Sequence, residues 1–119
     1  MHIEYIEQTD IDKRYQALAY SDNIPTAEIL AFMFNSTVII EKIIVADIYR
    51  HIGIGTKILE LLECWSIENK ATKIITPIPI CEASSPLDIY GNYRFFKSKG
   101  YKTPLGVFAY KKLRSNKAK

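Results

Sequence analysis

The feature that most constrains this chain is a junction between a strand-like segment and a helix-like segment, with two glycines between them. The segment VIIEKIIVA, residues 38–46, is β-branched and apolar except at two charged positions, which predicts a central strand. Residues 56–70 carry apolar side chains at helical spacing. Gly53 and Gly55 lie between the two. A glycine turn that opens a helix exposes backbone N–H groups beside the positive end of the helix dipole, so this junction predicts a phosphate-binding site.

The N-terminal third of the chain predicts a strand, a helix and the first arm of a hairpin. HIEYIE, residues 2–7, alternates in the manner of a strand. Asp10 is predicted to cap a helix that SDNIP, residues 21–25, ends. The apolar positions on one face of that helix would be Ile11, Tyr15, Leu18 and Ala19. Residues 27–34 and 38–46 flank a short polar turn, which predicts a hairpin.

The C-terminal part predicts a strand, a helix and two short strands. TKIITPIPI, residues 72–80, is β-branched, although Pro77 and Pro79 cannot donate a hydrogen bond to a neighbouring strand. Ser85 is suited to cap a helix, and Gly100 to end it in a left-handed conformation. Together these elements predict a mixed α/β sheet with helices packed against it.

The composition is that of one ordinary globular domain. The chain has 119 residues, of which 48% are hydrophobic and 24% are charged. It has no apolar run long enough to cross a membrane and no signal-peptide pattern, so we expect a cytoplasmic protein with no membrane partner. Cys64 and Cys81 have neither a second cysteine pair nor a histidine nearby. The sequence therefore predicts buried or half-buried free thiols and no metal site.

The basic residues are concentrated toward the C-terminus. Residues 97–119 carry eight Lys or Arg and no acid, whereas residues 1–96 carry eight basic and thirteen acidic side chains. Such an end can contact nucleic acid or an anionic cofactor. Because aromatic residues do not alternate with the basic ones and no nucleic-acid-binding motif is found, a solvated basic tail is the favoured interpretation.

The glycine motif distinguishes between the families that bind phosphate in this way. Arg50-x-x-Gly53-x-Gly55 lacks the third glycine of the dinucleotide fingerprint and the Gly-Lys-Ser/Thr of a Walker A loop. It resembles the Gln/Arg-x-x-Gly-x-Gly/Ala motif of the GNAT superfamily of N-acetyltransferases. RFFKSKGYK, residues 94–102, resembles that family's LYxxxGF segment, and the resemblance covers residues 37–113.

The resemblance implies a fold and a division of the chain. The expected fold class is α/β (α+β): a GNAT-like mixed, mostly antiparallel sheet with helices on both faces. The central parallel strands, residues 37–45 and 72–78, would splay apart to admit coenzyme A. One domain would span 1–119, with a shortened acceptor-side region at 1–36, an acetyl-CoA-binding core at 37–113 and a basic tail at 114–119. The family usually has two helices in the region that is short here.

The resemblance also implies the chemistry, which is direct transfer of acetyl from acetyl-CoA to an amine in a ternary complex. Backbone amides and side chains near the glycines would hold the cofactor; these residues are Val45, Arg50, His51, Ile52, Gly53, Ile54, Gly55 and Thr56, with Phe96 near the thioester. Glu41, a carboxylate inside the central strand, is the candidate general base, and pairing with Lys42 or another neighbour is the alternative. No metal is required.

The chain departs from the family where a proton donor is expected. Phe96 occupies the position of the family's tyrosine and cannot donate a proton, and an expected asparagine is also missing, since residue 89 is Ile. Tyr93, one turn earlier, is the candidate substitute. Two functions therefore stay open: an acetyltransferase acting on a small-molecule or peptide amine, and a catalytically degenerate module that binds acetyl-CoA or CoA. A homodimer is compatible with edge strands at both ends of the sheet.

Overall fold

The computed structural model describes residues 5–45, 53–77, 94–104 and 108–113. Six strands form one sheet in chain order. Their bounds are β1 (Tyr5–Ile11), β2 (Arg14–Ser21), β3 (Ile24–Phe34), β4 (Thr37–Val45), β5 (Lys73–Pro77) and β6 (Phe108–Lys112). Helix α1 (Ile54–Glu68) connects β4 to β5, and residues 94–98 form a second helical segment before β6.

Three tight turns connect β1 to β4 as an antiparallel meander. Asp12 and Lys13 have φ values of 51° and 64°, and Asp22 and Asn23 have φ values of 54° and 63°. Two successive left-handed residues are the geometry of type I′ turns, which suit the right-handed twist of the strands they connect. The predicted hairpin is confirmed as β3 and β4, with Asn35 left-handed in its turn.

The predicted helix after Asp10 is wrong, because that segment forms the end of β1, a turn and β2. The buried residues of β2 alternate along the strand; they are Tyr15, Ala17, Ala19 and Ser21. This period of two marks a strand with one buried face. The helical interpretation combined positions from both arms of the hairpin, and the turn at Asp12 separates them. The segment SDNIP does not end a helix, since it holds the next hairpin turn.

The core lies between α1 and one face of the sheet. Ile58, Leu59 and Leu62 of α1 are at most 2% exposed. Trp65 stacks on Tyr15 of β2 at 5.1 Å between ring centroids, and its indole Nε1 donates a hydrogen bond of 2.8 Å to Asp10 of β1. Each fully buried aliphatic side chain is worth about 1.5–3 kcal/mol, so α1 fixes the whole N-terminal meander from one side. Neither α1 nor the helical segment 94–98 is long and apolar enough to cross a membrane.

The C-terminal elements are attached to the same side. Gly100 has φ +89° and ends the helical segment as predicted, and Tyr101 after it is buried. The Tyr101 hydroxyl donates a 2.8 Å hydrogen bond to Glu63 of α1, and Lys111 of β6 forms a 3.3 Å ion pair with the same carboxylate. Cys64, predicted to be at least half-buried, is exposed, since it lies off the packed stripe of α1. Ser85 and Cys81 lie outside the described residues.

The opposite face of the sheet is not covered by either described helix. Phe95 of the 94–98 segment contacts the position of Gly55 in α1, so both helices lie on one side. Helices on the second face, which the resemblance also implied, are not found in the part of the chain that the structure describes. In the region before β4, for which the resemblance implied a shortened version of two helices, the described residues 5–36 form strands and tight turns instead.

The parallel pair β4 and β5 separates as predicted. Its register consists of three residue pairs, which are Thr37 with Lys73, Val38 with Ile74 and Ile39 with Ile75. Beyond Ile39, β4 continues to Val45 without a residue of β5 opposite it in the register. Pro77 pairs with Phe108 of β6 instead. The mixed, mostly antiparallel sheet with a splayed parallel centre is therefore confirmed.

The buried phenol of Tyr15 makes stability depend on alkaline pH. Burial, then the nearby charges of Cys64, Asp10 and Glu68, raises its pKa from 10.0 to about 12. The phenol has a higher pKa in the folded state than in the unfolded state. Its contribution to the stability of the native state is therefore fully present below pH 10 and is lost as the pH rises through about 12. We expect the free energy of unfolding to fall across this range, measured by urea denaturation. In Tyr15→Phe the decline should be shallower than in Tyr5→Phe, which changes an exposed tyrosine; equal declines would contradict the assignment.

Candidate functional site

The start of α1 is an N-terminus that no side chain of the described residues caps. Gly53 is the N-cap residue, with φ 88° and ψ 3°, and makes no side-chain capping hydrogen bond. The first turn of the helix contains no acidic residue, and Lys57 is its one charged residue. The Lys57 amide already donates to the Gly53 carbonyl at 3.0 Å. The amides before it and the helix dipole therefore favour an anion at this point.

The two glycines of the motif have different surroundings. A Cβ atom placed on Gly53 would meet no heavy atom of the described residues within 4 Å, so this position borders open space in that part of the chain. A Cβ atom on Gly55 would lie 3.4 Å from the ring of Phe95 and 3.7 Å from Cγ2 of Val45. Gly53 thus supplies the left-handed turn and the open approach, whereas Gly55 lets α1 pack against the end of β4. The sequence predicted the pair without separating these roles.

Phe95, rather than Phe96, is the aromatic residue that reaches the glycine turn. Phe96 is 3% exposed and packs edge-on against Phe95 and against Tyr101, with centroid distances of 5.2 and 5.3 Å. Phe95 is half-buried and contacts the position of Gly55, with the ammonium of Lys99 5.9 Å from its ring centroid. The resemblance to the LYxxxGF segment pointed to Phe96 as the aromatic residue near the cofactor. The only feature of the sequence that could have indicated Phe95 is that it is the aromatic residue directly before Phe96.

Glu41 lies at a β-bulge in the central strand. The register between β3 and β4 pairs Leu30 with Lys42 and Ala31 with Ile40, so Glu41 is the extra residue. The bulge brings both charged residues to the face opposite α1. Glu41 forms a 3.2 Å ion pair with Arg14 of β2, with 41% of its side chain exposed. The expected alternative of a structural ion pair is therefore present, with Arg14 as the partner rather than Lys42.

The bulge also decides which side chains of β4 face α1. Before it, Val38 and Ile40 are buried in the core. After it, Ile43 and Val45 pack against the core cluster, although an unbroken alternation from Ile40 would have turned Lys42 and Ile44 inward. The shift places Val45 beside Gly55 at the point where β4 ends.

The predicted cofactor residues are only partly within the described part of the chain. Val45, Gly53, Ile54, Gly55 and Thr56 come together at the junction of β4 and α1. Ile54 is buried, and Thr56 is half-buried in the first turn. The predictions for Arg50, His51, Ile52 and Tyr93 lie outside the described residues.

Comparisons with known proteins give no match by sequence and clear matches by structure. No family model matches the chain, and no curated protein matches it. Among solved structures, a GNAT-family acetyltransferase from Staphylococcus aureus superposes with a TM-score of 0.71 at 17% identity, over 86% of this chain and 69% of that one. The chain has the GNAT fold.

Two further GNAT-fold structures are similar to the same degree. The PaiA N-acetyltransferase of Thermoplasma acidophilum, solved in complex with coenzyme A, has a TM-score of 0.71 at 13% identity, over 85% of this chain and 62% of that one. The ribosomal-protein-S18-alanine N-acetyltransferase of Escherichia coli has a TM-score of 0.68 at 11% identity, over 92% of this chain and 77% of that one. This chain thus superposes on 62% to 77% of the length of these three chains.

The different roles of the two glycines lead to opposite effects of the same added methyl group. Gly53→Ala should lower the free energy of unfolding by about 1 kcal/mol, because a left-handed conformation is unfavourable for an L-residue. Gly55→Ala is the matched control, and we expect it to be neutral or to stabilise by up to about 1 kcal/mol, because alanine favours the helix and the contact is of ordinary length. Urea denaturation of both variants tests this, and equal losses of stability would contradict it.

Proposed function

We propose that this chain is a GNAT N-acetyltransferase that transfers acetyl from acetyl-CoA to an amine. One observation carries the proposal: the uncapped, acid-free N-terminus of α1 begins beside the end of β4, on the strand that separates from β5 after Ile39. A candidate anion site and the point where the described β4–β5 pairing ends are thereby close together. A pyrophosphate joined to a long, narrow arm needs both features, and coenzyme A has that shape.

The cofactor would be bound mainly by backbone groups. The amides of Ile54, Gly55 and Thr56 would donate to the pyrophosphate, with Arg50 and His51 adding positive charge or hydrogen bonds. The pantetheine arm would run along β4 beyond Ile39, toward the amide of Val45. That amide would stabilise the negative charge that develops on the thioester oxygen, a contribution typically worth about 10²–10³ in rate.

The reaction then requires the removal of a proton from the amine and allows, without requiring, the donation of a proton to the leaving thiolate. The amine nitrogen attacks the carbonyl carbon, the bond from carbon to sulfur breaks, and the ammonium proton passes to a base. Glu41, directly or through a water molecule, is the proposed base, with the guanidinium of Arg14 3.2 Å from its carboxylate. Tyr93 is the proposed donor to the leaving thiolate. Since a thiol has a pKa near about 8.5, its thiolate can also leave without a donor, so the phenylalanine at position 96 does not exclude catalysis.

The acceptor is proposed to be a small-molecule or peptide amine. In this chain the region before β4 is a bare three-stranded meander, which offers less enclosure than a pocket roofed by helices. The second candidate function is a module that binds acetyl-CoA without turnover. It is favoured by Phe96, which has no hydroxyl group and is packed into the core.

Binding of acetyl-CoA tests the anion site with two variants of one position. Gly53→Asn and Gly53→Asp have nearly the same shape, tolerate left-handed φ and are good N-caps, so they differ mainly in charge. We expect calorimetry to show at least about tenfold weaker binding for Gly53→Asp than for Gly53→Asn, because its carboxylate would repel the pyrophosphate. Equal affinities would contradict the site, and absence of binding to the wild-type chain would reject both candidate functions.

Turnover separates the enzyme from the binding module and tests the base. Thiol release from acetyl-CoA is measured with polyamines, amino sugars and peptides that have free amines. We expect Glu41→Gln to lower kcat by roughly 10²–10⁴, the usual worth of a general base, with little change in acetyl-CoA affinity. Glu28→Gln is the control, because Glu28 is ion-paired to Lys42 at 3.1 Å on the same face. Unchanged turnover in Glu41→Gln would remove it as base, and tight binding without release from any amine would favour the module.

A further inference from the structure

A cluster of three side chains joins the second half of α1 to the C-terminal part of the chain. The carboxylate of Glu63 accepts a 2.8 Å hydrogen bond from the Tyr101 hydroxyl and forms a 3.3 Å ion pair with Lys111 of β6. The ammonium of Lys111 also donates to the carbonyl of Lys99 at 3.3 Å and lies 5.5 Å from the ring centroid of Tyr101. One carboxylate of α1 therefore holds both β6 and the residue that follows Gly100.

The cluster is partly shielded from water. Tyr101 is 3% exposed, and the side chains of Glu63 and Lys111 are 19% and 31% exposed. Burial, followed by the charge and the hydrogen bond of Glu63, raises the pKa of the Tyr101 phenol, so its hydroxyl stays a donor at neutral pH. A hydrogen bond to an ionised acceptor is stronger than one between neutral groups. These contacts therefore attach the C-terminal part of the chain to α1 more firmly than an exposed ion pair would.

A second attachment of the same segment lies near the start of α1. The ring of Phe95 would be 3.4 Å from a Cβ atom on Gly55. Phe96 joins the two attachments, because its ring packs edge-on against Phe95 at 5.2 Å and against Tyr101 at 5.3 Å between ring centroids. Gly55 and Glu63 are eight residues apart on α1, which is about 12 Å along a helix. Two contacts at that separation fix the direction in which the segment runs along α1.

The position of the Phe95 ring matters for the candidate anion site. The ring contacts the position of Gly55 in the first turn of α1, and Cγ2 of Val45 at the end of β4 lies 3.7 Å from the same point. The ring thus helps to hold together the two backbone segments whose amides are proposed to bind acetyl-CoA. Release of the far end of the segment, at Glu63, would let the ring move. The amides would then lose their fixed relative positions, and hydrogen bonds weaken steeply when donors are misaligned.

We propose that Glu63 positions Phe95 against the glycine turn and thereby sets the affinity of the chain for acetyl-CoA. Glu63 acts through Tyr101 and Phe96, since it lies about two turns of α1 beyond the residues that would bind the cofactor. The identity of the ligand rests on the proposed function, whereas the position of Phe95 rests on the contacts described above. Glu63 is thus a positioning residue of the cofactor site and not a catalytic one.

Calorimetric titration with acetyl-CoA tests the proposal with two substitutions on one helix. Glu63→Gln keeps the shape of the side chain and removes the charged acceptor, and we expect it to weaken binding by roughly 3- to 30-fold, the usual range for a residue that acts through others. Glu60→Gln is the matched control, because it removes the same charge from an exposed residue of α1 nearer to the anion site. Loss of a negative charge near a bound anion strengthens binding, so the charge alone would change the affinity in the opposite direction.

A second variant separates positioning from a general loss of stability. Tyr101→Phe keeps the ring that packs on Phe96 and removes only the hydroxyl, so it should weaken binding in the same direction as Glu63→Gln but less, since Lys111 still pairs with Glu63. Thermal melting sets a titration temperature at which every variant is folded, and there a merely destabilised chain keeps the wild-type Kd. A wild-type chain that binds acetyl-CoA, with equal Kd values for Glu63→Gln and Glu60→Gln, would overturn this inference and leave the proposed function standing.

Nuclear magnetic resonance tests the position of Phe95 without any ligand. The α protons of Gly55 lie beside the Phe95 ring, so the ring current alters their chemical shifts, and Phe95→Leu gives their values without it. We expect these shifts in Glu63→Gln to move toward the Phe95→Leu values and in Glu60→Gln to stay at the wild-type values. Unchanged shifts in Glu63→Gln would overturn the inference. They would do so even for a wild-type chain that fails to bind acetyl-CoA, a failure that separately rejects the proposed function.

Discussion

The packing of α1 against one side of the sheet is the interaction on which the rest of the structure depends. Its buried stripe, with Ile58, Leu59 and Leu62 at most 2% exposed, covers one face of β2, β3 and β4, and no described helix lies on the other face. Trp65 extends the same contact to β1 through Asp10, and Glu63 extends it to Tyr101 and Lys111. The position of α1 thereby sets two features together: the core and the point at which the glycine turn meets β4.

The candidate site is a place where regular pairing ends. β4 loses its parallel neighbour after Ile39 and contains the bulge at Glu41, yet its end is held against Gly55 and Phe95. A central strand normally has both of its hydrogen-bonding edges occupied. Here the pairing between the described residues of β4 and β5 ends near the N-terminus of α1, and we propose that a ligand with an anionic group and an extended arm binds there.

Features encoded within a short segment could be predicted from the sequence, whereas features that depend on contacts between distant residues could not. The strand at 38–46, the glycine turn and the helix after it were predicted, because each has a strong pattern within a short window. The segment after Asp10 was misassigned, because Ile11 and Tyr15 are four apart both on a helix and across a tight hairpin. Phe95 was missed because the family motif aligns with a single aromatic position, Phe96. The packing of residues 94–98 decides which of the two adjacent rings reaches the glycine turn.

The sequence by itself determined the order of the later elements, the chemistry of the glycine turn and the absence of a hydroxyl group at Phe96, because these follow from residue identity and short-range spacing. Only the tertiary structure decided that Glu41 is paired with Arg14 and that both helices share one face. Those features join residues distant in sequence, and they depend on strand register and on a bulge that shifts the alternation of side chains between the two faces of the sheet.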